Sequence, residues 1–533
     1  MDPVSGTLSA IAFTTIVTET TTVDIQIWLI VIGFILSFTL AVGLGANDVA
    51  NSFATTVGAK VLTFFQVCIL AAIFETAGAV LLGSKVSDTI RKGIFDVTLY
   101  EGQEDLLAIG QIAALSGAFV WLSIATWLSL PVSGTHSIVG AMLGFHLVAK
   151  GTYGINWKKF GLIVSSWFTS PFLSGIVSAI IYSLYRHFVL KKVNPLEPGL
   201  RVLPVCYGTI FLVNIFSITF GPSIIGLSML PHWVPVVVSL GVSLVIALVV
   251  WVAAVPRLRK KYMRELVTES QNVEVVMEEK IRLSEEIVTK QPPEVECRNG
   301  SKDGKDVEVE NGQIAIPEEP LNANGLQTLQ VKTNSERCSL YQRLYTILHP
   351  AKKKALPEWL AIQDKPVIKK LCGPLQILSA TFASFAHGGN DVSNAVSPFV
   401  ALWLLHKTGE VSGTTSTPFW ILFYGGCGIS VGLWLFGRRV LETMGENLMP
   451  MTSSSGFTIE LGAAMTVLTA SNLGIPVSTT HCKVGSIIAI GLVQSRKQVD
   501  WNLFRNIIFA WIVTLPVTAS VSAFIMYLLQ FTL

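Results

Sequence analysis

Charge is what this chain of 533 residues has least of. Asp, Glu, Lys and Arg together make up 14%, against about 25% in a soluble globular domain. That is too little to cover a water-facing surface, so a soluble class is excluded. A nucleic-acid role is excluded with it, because the basic residues form no patch and instead flank apolar runs. The seven cysteines (Cys68, Cys206, Cys297, Cys338, Cys372, Cys427 and Cys482) contain no CxxC or CxxxC pair and are odd in number. Neither a disulfide framework nor a thiolate metal site is expected. Residues 1–23 have no Lys or Arg and no long apolar core, so a cleaved signal peptide is not expected. No nucleophile–base pair is evident, which leaves an enzyme as the least supported class. The one nucleophile-elbow match, Gly428-Ile429-Ser430-Val431-Gly432, follows no strand and reads as a GxxxG packing face.

Apolar residues fill the space that charge leaves, at 51% of the chain. They gather into twelve runs near 25–46, 62–83, 106–128, 131–149, 159–185, 202–226, 232–256, 374–404, 418–437, 457–474, 476–494 and 502–532. Most are long enough to cross a bilayer. The expected fold is an all-α polytopic membrane protein with about twelve transmembrane segments. Its parts are an extracellular tail (1–24), a first membrane region (25–256), a cytosolic loop (257–371) and a second membrane region (372–533). The loop opens on Arg257-Leu258-Arg259-Lys260-Lys261 and closes on Lys352-Lys353-Lys354 and Lys369-Lys370, which places its ends in the cytosol. Seven crossings before it and five after it put both termini outside. The middle of the loop, Gln291 to Glu336, reads as disordered. A short amphipathic helix is expected around Val276–Val288, and the sequon at Asn299 would go unused in the cytosol.

One stretch breaks the apolar pattern twice. Gly45-Ala46-Asn47-Asp48-Val49-Ala50-Asn51-Ser52 nearly recurs as Gly388-Gly389-Asn390-Asp391-Val392-Ser393-Asn394-Ala395. An Asp at a bilayer centre costs about 2.5–3.5 kcal/mol, so such residues are functional candidates. Three more blocks match in the same order. Pro131-Val132-Ser133-Gly134-Thr135-His136 answers Pro476-Val477-Ser478-Thr479-Thr480-His481, Asn156-Trp157 with Trp167 answers Asp500-Trp501 with Trp511, and Gly78 with Gly83 answers Gly432 with Gly437. An odd number of crossings separates the copies, so they are inverted repeats. This is the architecture of secondary transporters, built with broken helices or re-entrant hairpins around a midplane site.

The two motif pairs suit different ions. Glycines clustered in each octet predict an interrupted helix that frees carbonyls beside the polar side chains. Asp48 with Asn51, and Asp391 with Asn394, then share a helix face. Carboxylate, amide and carbonyl oxygens suit a hard cation such as Na⁺. In the other pair, Pro begins a helix whose first amides lack partners, next to Ser133, Thr135, Ser478, Thr479 and Thr480. A helix N-terminus with hydroxyl donors is an anion site, and two meeting at a two-fold axis would hold one tetrahedral oxyanion. His136 and His481 read either as proton carriers or as packed, hydrogen-bonded rings. Glu75 and Glu460 read either as ion-pathway acids or as structurally paired ones. Lys483 has no counterpart, Ile138 taking its place, and it makes the anion site asymmetric if it reaches the anion. His387 likewise faces Leu44 in the alignment of the octets. Two carboxylates would repel an anion unless cations bind with it, which is a physical reason for symport.

The octets and the paired Pro-Val-Ser-x-Thr-His blocks resemble the inorganic phosphate transporter (PiT) family, and within it the eukaryotic type III sodium-dependent phosphate cotransporters. The resemblance implies Na⁺-coupled import of inorganic phosphate across the plasma membrane, a homodimer, and no cofactor besides the coupling ion. It places cation ligands at Asn47, Asp48, Asn51, Asn390, Asp391 and Asn394 and makes Glu75 and Glu460 functional. Relatives that use H⁺ or carry sulfate keep those variants open. An anion channel and a phosphate-sensing membrane receptor are the readings from other classes.

Overall fold

The computed structural model describes residues 26–220, 231, 233–265, 268, 363–409, 411 and 415–533. The N-terminal tail, the helix expected around Val276–Val288, the middle of the loop and Asn299 lie outside the described residues. Internal contacts divide the chain into a unit of residues 1–260 and 354–533 and a second unit, 261–353, of which only 261–265 and 268 are described. Everything below concerns the first unit.

All twelve apolar runs form helices. In the first half these are α1 (Ile27–Asp48), α2 (Ala50–Gly58), α3 (Phe64–Gly93), α4 (Glu104–Trp127), α5 (Gly134–Lys150), α6 (Trp157–Tyr185), α7 (Leu196–Phe220) and α8 (Trp233–Val249). In the second half they are α9 (Pro366–Thr408), α10 (Phe419–Phe436), α11 (Ser453–Asn472), α12 (Thr479–Gln494) and α13 (Trp501–Leu529). α9 begins inside the interval expected to be loop, because Pro366 at its first turn starts the helix. The matched Asn156-Trp157 and Asp500-Trp501 blocks prove to be helix starts. Asn156 caps α6 by accepting from Lys159 N, and Asp500 caps α13 by accepting from Asn502 N and Leu503 N.

Among the described residues, eight helices are long and apolar enough to cross a membrane, where the apolar runs predict twelve spans. The helices outside that set are α5, α9, α11 and α12, three of which carry the motifs and the fourth Glu460. Their polar side chains lower the hydropathy, and α5 and α12 are only 17 and 16 residues long. The side chains are distributed as a bilayer demands. Phe168, Phe172, Phe509 and Ile512 are exposed on the outer faces of α6 and α13, while Asn, Asp, Ser and Thr side chains fill the interior.

The repeats exchange partners. α1 packs on α10 and α9 on α3; α5 packs on α13 and α12 on α6. Each half thus completes its core with helices of the other, as a two-fold-related pair does. α7 packs against both α8 and α9, and α7 and α8 have no counterpart among the described residues of the second half.

The helix break predicted at both octets is not found. α9 runs unbroken through Gly388-Gly389-Asn390-Asp391, and α1 yields to α2 only at Val49, whose φ −64° and ψ −19° are still helical. The glycines serve close approach instead. A Cβ on Gly388 would lie 2.2 Å from the Glu75 carbonyl oxygen of α3, and one on Gly432 of α10 would lie 1.9 Å from the Val42 carbonyl oxygen of α1. Hairpins are the alternative that the fold adopts. α4–α5 and α11–α12 are helical hairpins whose turns, Pro131-Val132-Ser133 and Pro476-Val477-Ser478, are largely buried.

Candidate substrate and ion site

The two hairpin turns meet, and their contacts are reciprocal. Thr135 Oγ1 donates to the Val477 carbonyl at 3.0 Å, and Thr480 Oγ1 donates to the Val132 carbonyl at 2.9 Å. Ser133 and Ser478 both act as N-caps, their Oγ atoms accepting from His136 N at 3.2 Å and His481 N at 3.1 Å. A capping serine uses an oxygen lone pair, so its hydroxyl proton is left for a ligand. Behind the turns lies a row of four rings. Trp167 and His136 are 3.7 Å apart, His136 and His481 4.4 Å, and His481 and Trp511 3.7 Å, centroid to centroid. His481 Nδ1 also bonds the Trp167 carbonyl at 2.9 Å. Both histidines are packed against tryptophan rings and join the repeats, while His136 Nδ1 and Nε2 meet no hydrogen-bond partner among the described residues.

The octets flank these turns. Asn51 Nδ2 donates to Thr479 Oγ1 and Thr480 Oγ1, each at 3.0 Å, and Asn394 Nδ2 makes the equivalent bond to Thr135 Oγ1 at 3.2 Å. Thr479 Oγ1 donates to Asp391 Oδ1 at 3.1 Å, and Thr480 Oγ1 approaches Asp48 Oδ1 at 3.4 Å. Asn390 Nδ2 donates to the Val477 carbonyl at 2.8 Å. Asn47 differs from the other five residues expected to hold cations. Its Nδ2 donates to the Leu130 carbonyl at 2.9 Å and its Oδ1 accepts from Val132 N at 3.1 Å, so it ties α1 to the first turn.

A set of buried oxygens remains. Asp48 Oδ2, Asn51 Oδ1, Asn390 Oδ1, Asp391 Oδ2 and Asn394 Oδ1 have no donor among the described residues, and all five residues are 1% exposed or less. An unmatched buried acceptor costs about 1–3 kcal/mol; Asp48 with Asp391 and Asn51 with Asn394 are two-fold pairs, and oxygens of these types suit a hard cation. The donors complement them. The N-termini of α5 and α12 face each other across the turns, each carrying the positive end of a helix dipole and first-turn amides that the helix cannot satisfy.

Glu75 and Glu460 occupy separate polar clusters. Glu75 Oε1 accepts from Ser52 Oγ at 2.9 Å and from Ser384 Oγ at 3.0 Å, while Oε2 has no donor among the described residues. Ser52 also meets His387 Nδ1 at 3.1 Å. Glu460 accepts from Thr55 and from Ser379. Lys483 is fully buried, and its Nζ bonds Thr55 Oγ1 at 3.2 Å. Its hydrogen bond therefore runs to the Glu460 cluster and not to the hydroxyls of the two hairpin turns.

A sequence profile described as the phosphate transporter family matches residues 44–522. The chain belongs to the phosphate transporter family. Similar proteins of this family include sodium-dependent phosphate transporter 1 of Rattus norvegicus, 38% identical over 94% of this chain and 95% of the relative. The human protein of that name is 38% identical over 95% of this chain and 96% of its own, and sodium-dependent phosphate transporter 1-B of Danio rerio is 39% identical over 99% and 100%. A solved structure titled the sodium-dependent phosphate transporter aligns with a TM-score of 0.70 and 31% identity, covering 95% of this chain and all of that one. In this phosphate transporter family member, Ser52, Thr55, Ser379 and Ser384 are the contacts that sequence reasoning missed. Ser52 lies four residues past Asp48 and Thr55 four past Asn51, the i, i+4 spacing that points to them. Ser379 and Ser384 carry no such signal.

Proposed function

We propose that this protein is a symporter that imports inorganic phosphate together with Na⁺ across the plasma membrane by alternating access. The carrying observation is the two-fold arrangement of unmatched acceptor oxygens around two facing helix N-termini. Cations at Asp48–Asn51 and Asp391–Asn394 complete the oxygens and supply the positive charge that an anion between Ser133, Thr135, Ser478, Thr479 and Thr480 requires. Without those cations the carboxylates repel phosphate; without phosphate the cations face the positive ends of two helices. Each ligand improves the other's site. The names of the relatives support sodium as the coupling ion, and burial of every residue in the set speaks against a standing pore. Both termini outside, the 257–371 loop in the cytosol and assembly as a homodimer belong to the same reading.

The test is radiolabelled phosphate uptake into proteoliposomes of the purified full-length protein, comparing Na⁺, Li⁺ and H⁺ gradients with sulfate as competitor. Uptake should follow the Na⁺ gradient, resist sulfate and vanish in Asp48→Asn and in Asp391→Asn at unchanged protein incorporation. Wild-type uptake in both variants would sink the site; uptake driven equally by H⁺ would reassign the coupling ion.

A further inference from the structure

α2 meets α12 through two polar rungs one helical turn apart. The first is the Asn51 amide on the Thr479 and Thr480 hydroxyls, already part of the two-fold site. The second is Lys483 Nζ on Thr55 Oγ1, four residues further along each helix. Thr55 Oγ1 accepts from the ammonium and donates its own proton to Glu460 Oε1, while Ser379 donates to Glu460 Oε2. One hydroxyl thus links the buried Lys483 amine and Glu460 carboxyl. Thr55, Glu460 and Lys483 are all 0% exposed, and removing one partner of such a pair leaves the other as an uncompensated buried charge.

The second rung does not obey the two-fold. The octet alignment sets Pro398 opposite Thr55, and the alignment of the Pro-Val-Ser blocks sets Ile138 opposite Lys483; neither side chain can form a hydrogen bond. The first rung does obey it, since Asn394 bonds Thr135. A feature present on one side only is not a ligand set for a pair of equivalent cations. We infer that Lys483 and Glu460, joined through the Thr55 hydroxyl, are an internal counter-ion pair that positions Asn51 for the cation on the Asp48 side. Lys483 supplies Glu460 with a tethered cation, so Glu460 takes no transported one. The two cation sites are thereby unequal: Asn51 is braced by a charged rung, and one turn past Asn394 the matching place is held by Pro398.

This inference rests on the sodium–phosphate symport reading, and the experiment separates the two. The full-length protein is reconstituted as wild type, Thr55→Val, Thr55→Ser, Glu460→Gln, Lys483→Met and the Glu460→Gln/Lys483→Met double variant. Loss of one hydrogen bond to a charged group should raise the half-saturating sodium concentration of Thr55→Val about tenfold. Thr55→Ser keeps the hydroxyl and stays at the wild-type value, and the phosphate half-saturation at saturating sodium does not move in either. Each charge-removing single variant should lose uptake, and the double should recover it. A double variant as inactive as Glu460→Gln alone, or a Thr55→Val variant with wild-type sodium dependence, overturns the pair. If the wild type itself shows no sodium-driven uptake, the transport reading has failed. The pair is then judged by thermal unfolding of the same purified variants: a melting temperature restored in the double supports it, and additive losses overturn it.

Discussion

Gly134 stands where the second repeat has Thr479, and Leu44 where it has His387. The two differences are linked by space. A Cβ at position 134 would lie 2.3 Å from Leu44 Cδ2 and 2.8 Å from Asp48 Oδ2. Glycine therefore leaves the Asp48 carboxylate its room, whereas Thr479 gives Asp391 a hydroxyl donor at 3.1 Å. Gly134→Ala should displace Asp48 Oδ2 and raise half-saturating sodium about tenfold, in line with a 1–3 kcal/mol overpacking cost. Adding Leu44→Ala should return most of that loss, and sodium titration of uptake reads both effects. At this scale the residue types of the site were legible in the sequence, because an Asp or Asn set between apolar runs is costly to bury unless a ligand or partner compensates it. Which atoms they meet was not. Asn47 and Asn390 occupy equivalent places, yet Asn47 has both side-chain atoms engaged at the first turn while Asn390 Oδ1 meets no donor among the described residues. The direction of Lys483 was equally hidden, since its partner Thr55 lies in the other repeat.

The helices themselves were legible as runs of apolar residues, and every run became one. What failed was the meaning given to glycine within them. Gly388 reads as a breaker by propensity, at about 1 kcal/mol relative to Ala, but helix packing decides its role. The Glu75 carbonyl of α3 approaches so closely that a Cβ at 388 would sit 2.2 Å from the oxygen and 2.8 Å from the carbonyl carbon. Backbone cannot swing aside as a side chain can. Gly388→Ala should therefore force α3 and α9 apart at a cost of about 1–3 kcal/mol, seen as a lowered melting temperature of the purified protein. Gly241 in α8 is the control, because a Cβ there meets nothing within 4 Å. Gly241→Ala should leave the melting temperature unchanged or raise it, by the ordinary helix preference for Ala. Equal losses in the two variants would mean that close approach is not what position 388 requires. Sequence alone shows that a glycine is present, not which backbone comes near it.

At the scale of the whole molecule, duplication explains both the arrangement of the site and its closure. Each repeat gives one octet and one hairpin turn, and the partner exchange of α1 with α10 and α9 with α3 sets each octet against both turns. Thr135 and Thr480 reach across to carbonyls of the opposite turn, and the row of rings from Trp167 to Trp511 joins the halves behind them. The proposed cation and anion sites thus share side chains: Thr480 touches Asp48 and Asn51, and Thr479 touches Asp391 and Asn51. Ligands that share groups in this way cannot bind independently. Phosphate affinity measured on the purified protein should be higher in sodium than in choline, by a factor in the ordinary range for coupled sites, about 5–150-fold. Linkage then requires phosphate to raise the overall sodium affinity by the same factor, and paired titrations can check that equality without any transport assay. Phosphate binding of equal strength in choline and in sodium would mean that the cations do not complete the anion's site. The two-fold set of oxygens would then need another occupant.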